Sequence, residues 1–443
     1  KRQALSSDTL LSKNKREIPL ESVHSVTVPG AVSLFEEIAN KFGNLGLKEL
    51  CAQPIRYAEE GVVVSPRVSF DWNVNSKKLT GSSEKFYLNS GKPYKAGSLF
   101  KAPMQAEVFR KIASHGSKGF YQSEITTDHV NSLKELGGLH SLADFENVEV
   151  QYVEPTYADL KDGSTLIELP PNGQGLTAIM MKKMMQFCNI DRFSAGSFER
   201  VHLEAEIAKV AYSARNNFIG DPNFSEVKQN VFLDDSYLEQ LSRGISVGKL
   251  LNDNLEDDFF ARNNDTVLIC AADSEGNAIS LIFSTFHAFG SGLCSKKYGL
   301  LFHNRGAGFD LKKNHPNELL GGKRPLHTII PAILQEKNGS IMPFGVMGGQ
   351  YQANGHARIL SNIKDYGMGF QEALNFPRSF YFDGVLNIER GYKKDVTEKL
   401  SEIGYKVQEA TIPIGGAQLV RADSSGVLMG ASDPRKDGCA LGY

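Results

Sequence analysis

Apolar positions recur along the chain at two spacings, and the spacing predicts the elements. Ser25-Val26-Thr27-Val28 reads as a short strand ended by Pro29-Gly30. Val32, Leu34, Phe35 and Ile38 recur at helical spacing and predict a helix over Ala31–Phe42. A second helical stretch, 47–60, carries Pro54 and is expected to kink or break there. Residues 66–98 are rich in Ser, Lys and Gly with scattered aromatics, and read as a loop-rich excursion. Helical spacing returns at 103–115 and 127–136, the latter stopped by Gly137-Gly138. Residues 148–153 and 164–169 read as strands, and Pro170 to Gly175 as a tight loop. A Met-rich helix follows to Phe187, with Met180, Met181, Met184 and Met185 read as adaptable core filling. Residues 198–216 fit a long amphipathic helix.

The second half changes texture. Residues 266–272 and 278–285 alternate as strands around Asp273-Ser274-Glu275-Gly276-Asn277, a hairpin with a Gly-containing turn. Phe344–Met347 reads as a strand, Gly348-Gly349 as a turn, and a helix is expected from about Asn354. The last stretch alternates short strands and helices and ends in a hairpin around Asp423–Gly426. Helical flanks around β-hairpins suggest antiparallel sheets covered by helices, an α/β (α+β) protein.

Composition narrows the function classes. Hydrophobic residues make up 41% and charged residues 23%, ordinary globular values. A net charge of −2 leaves no electrostatic footprint for nucleic acid and no basic face for a membrane. No apolar run is long enough to span a bilayer. The five cysteines include no CxxC pair, so buried free thiols in a reducing, cytoplasmic setting are expected, with no metal centre. At 443 residues, a prior of about 150 per domain would suggest roughly three. The opening Lys1-Arg2-Gln3 lacks both an initiator Met and a signal-peptide core, and reads as a cut or processed end of a longer product.

Most standard signatures fail. Gly321-Gly322-Lys323-Arg324 lacks the first Gly and the Ser or Thr of a phosphate loop, and neither HExxH nor GxSxG is found. Two segments survive: Asn264-Asp265-Thr266-Val267 with its hairpin, and Gly345-Val346-Met347-Gly348-Gly349-Gln350. Taken singly, a Thr opening a strand and a Gly-Gly pair are a strand residue and a turn.

Together, and with further segments in order, they resemble the γ-glutamyltranspeptidase family of N-terminal-nucleophile hydrolases. The segments are Pro29-Gly30-Ala31, Ala58-Glu59-Glu60-Gly61, Val64-Ser65-Pro66-Arg67, Pro170 to Gly175, Val201-His202-Leu203 and Gly220-Asp221-Pro222. In the second half they are Phe289-Gly290-Ser291-Gly292, Gly322 to Leu326, Met347-Gly348-Gly349, Ala373-Leu374 with Pro377-Arg378, and Gly430 to Arg435. The resemblance implies a four-layer αββα sandwich of two antiparallel sheets covered by helices. It also implies one precursor cut between Asp265 and Thr266. The pieces 1–265, a large-subunit portion whose N-terminal segment is missing, and 266–443, a small-subunit portion, would then form one intertwined domain, with further homo-oligomerisation expected.

The implied chemistry needs no cofactor. The Thr266 hydroxyl would attack, its own freed α-amine would take the proton, and the backbone N–H groups of Gly348 and Gly349 would meet the oxyanion. Ser284 matches a family hydroxyl near the nucleophile; an ordinary strand serine would look the same. Departures from the family concern the substrate. Val267 replaces a second Thr, Phe286 an Asn that helps bind the glutamyl group, Gly308 the Asp that grips its ammonium, and His327-Thr328 a Ser-Ser pair at its carboxylate. Arg2 lies near the family's carboxylate-binding Arg. Arg305 reads either as a carboxylate clamp or as a surface residue. The pattern is closer to an acylase-like branch acting on glutaryl or cephalosporin-type amides, with water or an amine as acceptor. A catalytically silent binding relative is the third reading.

Overall fold

The computed structural model describes residues 4–12, 14–251 and 264–443, with side chains in the last stretch from Thr266 onward. The chain forms two compact units, and each draws on sequence from both sides of residue 266. One comprises residues 1–152 and 284–325, the other 153–283 and 326–443. Among the described residues no helix is long and apolar enough to cross a membrane.

The first unit is largely helical. The helix Ala31–Phe42 forms as its spacing predicts. The stretch 47–60 splits into Leu47–Leu50 and Ala52–Glu60, so Pro54 falls within the first turn of the second piece, where its missing N–H costs least. Helices Pro103–His115 and Glu124–Glu135 pack Val108, Ile112, Ile125 and Val130 around Phe120 and Phe145.

Three expectations fail here. Residues 66–98 are not a loop: they hold helices Pro66–Asn75 and Ser82–Tyr87. The first starts on a Ser65 side chain that caps the Val68 N–H, followed by Pro66. Ser25–Val28 is no strand; Val23–Ser25 is a 3₁₀ turn, and the Val26 carbonyl meets the His140 ring at 3.0 Å. Among the described residues, 148–153 find no strand partner either. Tyr152 instead donates to Glu37 at 2.8 Å and lies under Lys41. A strand exists only where a second edge receives its backbone groups. Among the described residues of this part, a short ribbon pairs β1 (Val62–Val63) with β2 (Leu99–Phe100).

The Phe-lined core of this unit also encloses His129. Its ring meets the edges of Phe302 at 4.6 Å, Phe145 at 5.8 Å and Phe120 at 6.0 Å. Burial, with His303 and His140 adding to it, pushes its pKa down to about 3. The base is therefore neutral in the fold but free to protonate when unfolded. Stability contributed by this site is intact above about pH 6.5 and declines below it, by about 1.4 kcal/mol per pH unit. Thermal melts between pH 7.5 and 5.5 are expected to show a smaller acid loss for His129→Phe than for the wild type. Equal losses would refute the assignment.

The second unit carries the main sheet. Its strands are β3 (Thr156–Asp159), β4 (Thr165–Glu168), β5 (Asn264–Ala272), β6 (Ala278–His287, whose last residues enter the first unit), β7 (Pro331–Gln335), β8 (Ile341–Met347), β9 (Ser379–Phe382), β10 (Val385–Ile388), β11 (Lys406–Glu409), β12 (Gly416–Ala422) and β13 (Leu428–Ser432). Six of them form one antiparallel sheet in the order β13-β12-β8-β7-β4-β3. β9, β10 and β11 make a small separate sheet, and β5 with β6 makes the expected hairpin.

β8 is apolar on both faces because both are covered. Phe344 and Val346 point to the helix Tyr351–Lys364, where Gly355 permits close approach to Val346. Gly345 and Met347 point the other way, to Leu268 of β5. That helix begins three residues before the expected Asn354, directly from the Gly-Gly turn. The helix Gly175–Phe187 is buried, and Met180, Met181, Met184 and Met185 fill the core as their spacing predicts. Its two lysines survive burial through ion pairs, Lys182 with Asp365 at 2.8 Å and Lys183 with Asp235 at 2.5 Å. The helix Phe198–Phe218 packs beside it.

Candidate active site

β5 alternates strictly. Val267 and Ile269 are exposed, while Thr266, Leu268 and Cys270 face inward. The inward residues fix the direction of the strand over the sheet. Cys270 reaches the Gln418 carbonyl, the partner of Gly345 across β12 and β8, and Ser280 of β6 donates to the Phe344 carbonyl at 2.8 Å. Leu268 lies over Gly345 and packs with Met347. Moving from Cys270 through Leu268 to Thr266 therefore runs toward the end of β8, and that end is Gly348-Gly349. Burial pushes the Cys270 thiol up to about 12, which leaves it an inert neighbour.

Both turn glycines have positive φ, 134° at Gly348 and 55° at Gly349. A Cβ on Gly348 would stand 2.9 Å from the Gly415 Cα, so glycine is required by space as well as conformation. The Gly348 carbonyl accepts from the Tyr351 N–H at 3.1 Å, and the Gly349 carbonyl from Gln352 at 3.2 Å. The carbonyl and N–H of a trans peptide point in opposite directions, so the Gly349 N–H is turned away from the helix that follows.

Two other predicted residues lie in the same unit. The His327 N–H donates to the Asn172 carbonyl at 2.9 Å, and its Nδ1 lies 2.8 Å from the Asn172 amide. Thr328 is buried, and its carbonyl accepts from the Gln174 amide at 2.8 Å. Sequence reasoning did not single out Gln174, nor Arg215 and Tyr212 on the helix Phe198–Phe218. Polar residues on an amphipathic helix give no sign that they turn inward to meet residues more than a hundred positions away.

Ser284, Phe286, Arg305 and Gly308 belong to the first unit. Ser284 accepts from the Phe286 N–H at 2.8 Å, holding a non-glycine residue at φ 77°. The Phe286 ring is buried against the Arg305 guanidinium, 4.2 Å from ring centre to Cζ. Arg305 is only 3% exposed, which removes its reading as a surface residue. Burial lowers its pKa to about 9, so it keeps its charge at neutral pH. Burial, then Arg305, pushes His303 down to about 3. Gly308 sits in a short 3₁₀ turn, and its carbonyl accepts from the Asn317 amide. Arg2 and the side chain of Asp265 lie outside the described residues.

The chain is 28% identical to a glutathione hydrolase-like proenzyme of Bacillus subtilis (strain 168), over 97% of this chain and 83% of the relative. It is also 28% identical to the oxamate amidohydrolase proenzyme of Klebsiella pneumoniae subsp. pneumoniae, over 97% and 83%. Its fold superposes on the crystal structure of cephalosporin acylase from Bacillus halodurans with a TM-score of 0.88 at 28% identity, covering all of this chain and 83% of that one. The sequence profile described as Gamma-glutamyltranspeptidase matches residues 3–443, and with a match over that span the chain belongs to the γ-glutamyltranspeptidase family of enzymes.

Proposed function

We propose that Thr266 is the nucleophile of a self-processing amide hydrolase and acyltransferase, and that Gly348 and Gly349 supply its oxyanion donors. The supporting observation is the direction of β5: its inward face carries Thr266 toward the end of β8, where the two positive-φ glycines stand. In the precursor the Thr266 hydroxyl attacks the Asp265 carbonyl, the acyl group shifts from nitrogen to oxygen, and water releases it. The α-amine set free has an ordinary pKa of about 7.7–8.0 and takes the hydroxyl proton in later turnovers. Acylation then expels the amine product, and water or a second amine takes the acyl group. The same two N–H groups meet the tetrahedral oxyanion in every step.

The pieces 1–265 and 266–443 are expected to stay associated after the cut, because each compact unit contains chain from both. With helices on one face of the main sheet and the hairpin on the other, the fold is read as the αββα sandwich of the family. Assembly into homo-oligomers and a small acyl-amide substrate belong to the same reading.

The acyl group is where this chain differs. Gly308 has no side chain to pair with a γ-glutamyl ammonium, and Phe286 has a ring in place of an amide. A buried ammonium left without its anion loses about 1–3 kcal/mol, or roughly 10- to 100-fold in kcat/KM. Glutaryl-p-nitroanilide, which lacks the ammonium, is therefore expected to exceed γ-glutamyl-p-nitroanilide in kcat/KM by at least about tenfold. Brisk cleavage of the γ-glutamyl substrate would overturn the acylase-like reading.

A further inference from the structure

The turn that ends β8 has little intrinsic reason to hold one orientation. Gly348 and Gly349 carry no side chains, and glycine peptide planes rotate at low cost. Its own helix holds the Gly348 and Gly349 carbonyls, and three buried side chains from elsewhere in the second unit bear on the Gly349 carbonyl again and on Gln350.

Gln174, the residue before the helix Gly175–Phe187, is fully buried. Its Nε2 donates to the Thr328 carbonyl at 2.8 Å and to the Gly349 carbonyl at 3.1 Å. Arg215 donates from Nη1 to the Gln174 Oε1 at 2.9 Å, and also to the Gln350 Oε1. A guanidinium only donates, so it dictates which way both amides face. The oxygens turn to Arg215, and the Gln174 NH₂ is left for the two backbone carbonyls. Tyr212 lies one turn earlier on the same helix. Its ring stacks under Arg215 at 4.6 Å, and its hydroxyl donates to the Gln350 carbonyl at 2.5 Å. Burying a guanidinium is costly, and an apolar residue would fill the space with less penalty. Two of the groups Arg215 meets, Gln174 and Gln350, bear on this turn.

We propose that Gln174, Arg215 and Tyr212 form a positioning bracket. It holds the Gly349 and Gln350 carbonyls, in the two peptide planes that directly follow those carrying the Gly348 and Gly349 N–H groups, and, through the single Gln174 amide, ties the turn to Thr328. The bracket acts on the aim of the oxyanion donors and so on the rate of acyl transfer, with little effect on substrate affinity. The inference rests on the reading of Gly348 and Gly349 as those donors.

The test uses full-length protein matured to completion, with glutaryl-p-nitroanilide as substrate and rates expressed per chain that starts at Thr266. Gln174→Glu removes the donor and sets a carboxylate oxygen against both carbonyls, while Arg215 keeps an acceptor. It is expected to lower kcat by about 10- to 100-fold with KM within about twofold of wild type. Tyr212→Phe deletes one hydroxyl and keeps the ring, so it folds even where the charged change does not. It is expected to lower kcat by about three- to tenfold with KM unchanged. A merely structural role would lower the melting temperature and the yield, leaving kcat per mature site intact. The bracket is overturned if kcat per site stays within twofold in Tyr212→Phe, or if the loss falls in KM. If the wild type lacks a Thr266 terminus, or Thr266→Ala still turns over, the reading beneath it fails and the bracket fails with it.

Discussion

Thr266→Ala is expected to remain a single full-length band on a denaturing gel, where the wild type separates into pieces 1–265 and 266–443. The same variant is expected to lose amide hydrolysis by roughly 10³-fold or more, since the proposed nucleophile is then absent from every covalent step. The fold should survive. Thr266 is only partly buried and opens the inward face of β5, while Leu268, Ile282 and Met347 hold that strand to the sheet. A melting temperature close to wild type would then assign the loss to chemistry. Thr266→Ser retains a hydroxyl and is expected to be cut, more slowly, because serine lacks the χ1 restriction of a β-branched residue. Cleavage of Thr266→Ala at the wild-type rate would remove Thr266 from the processing step.

The second large effect is expected at the turn. Gly348→Ala meets two obstacles at once: a φ of 134° that L-residues rarely adopt, and a Cβ 2.9 Å from the Gly415 Cα. The Gly415 contact is with backbone, so no side chain can swing aside and the turn itself must move. Removing one oxyanion donor costs about 10²- to 10³-fold in kcat in a serine protease, so a displaced donor is expected to slow both processing and turnover. Gly367→Ala is the matched control. Its φ is 65° and its Cβ would meet nothing within 4 Å, so it carries backbone strain away from the site. It is expected to lower stability by about 1 kcal/mol with kcat unchanged. Equal kcat losses in the two variants would mean that strain alone, and not donor aim, explains the Gly348 result.

How much of this was legible in the sequence depends on the range of the interaction. The hairpin 264–287, the strand before Gly348-Gly349 and the Met-rich helix are written in local periodicity and turn chemistry, and they form where expected. The helix Pro66–Asn75 was hidden by the Ser-, Lys- and Gly-rich residues that follow it, although Ser65-Pro66 carries a helix-start signal. Two runs, 25–28 and 148–153, have strand-like composition but meet no receiving edge among the described residues. Arg305 could not be told from a surface arginine because its cover, the Phe286 ring, lies nineteen positions away in an irregular segment. The pairing of Gln174 with Arg215 across 41 residues, and with Gly349 across 175, is set by tertiary packing alone.

The central claim is that this chain cuts itself before Thr266 and then works through the amine and hydroxyl exposed there. N-terminal sequencing of purified, matured protein measures this directly. The account predicts a second start reading Thr-Val-Leu-Ile-Cys in equal amount to the first. A single start after prolonged incubation, with amide hydrolysis nonetheless present, would contradict it.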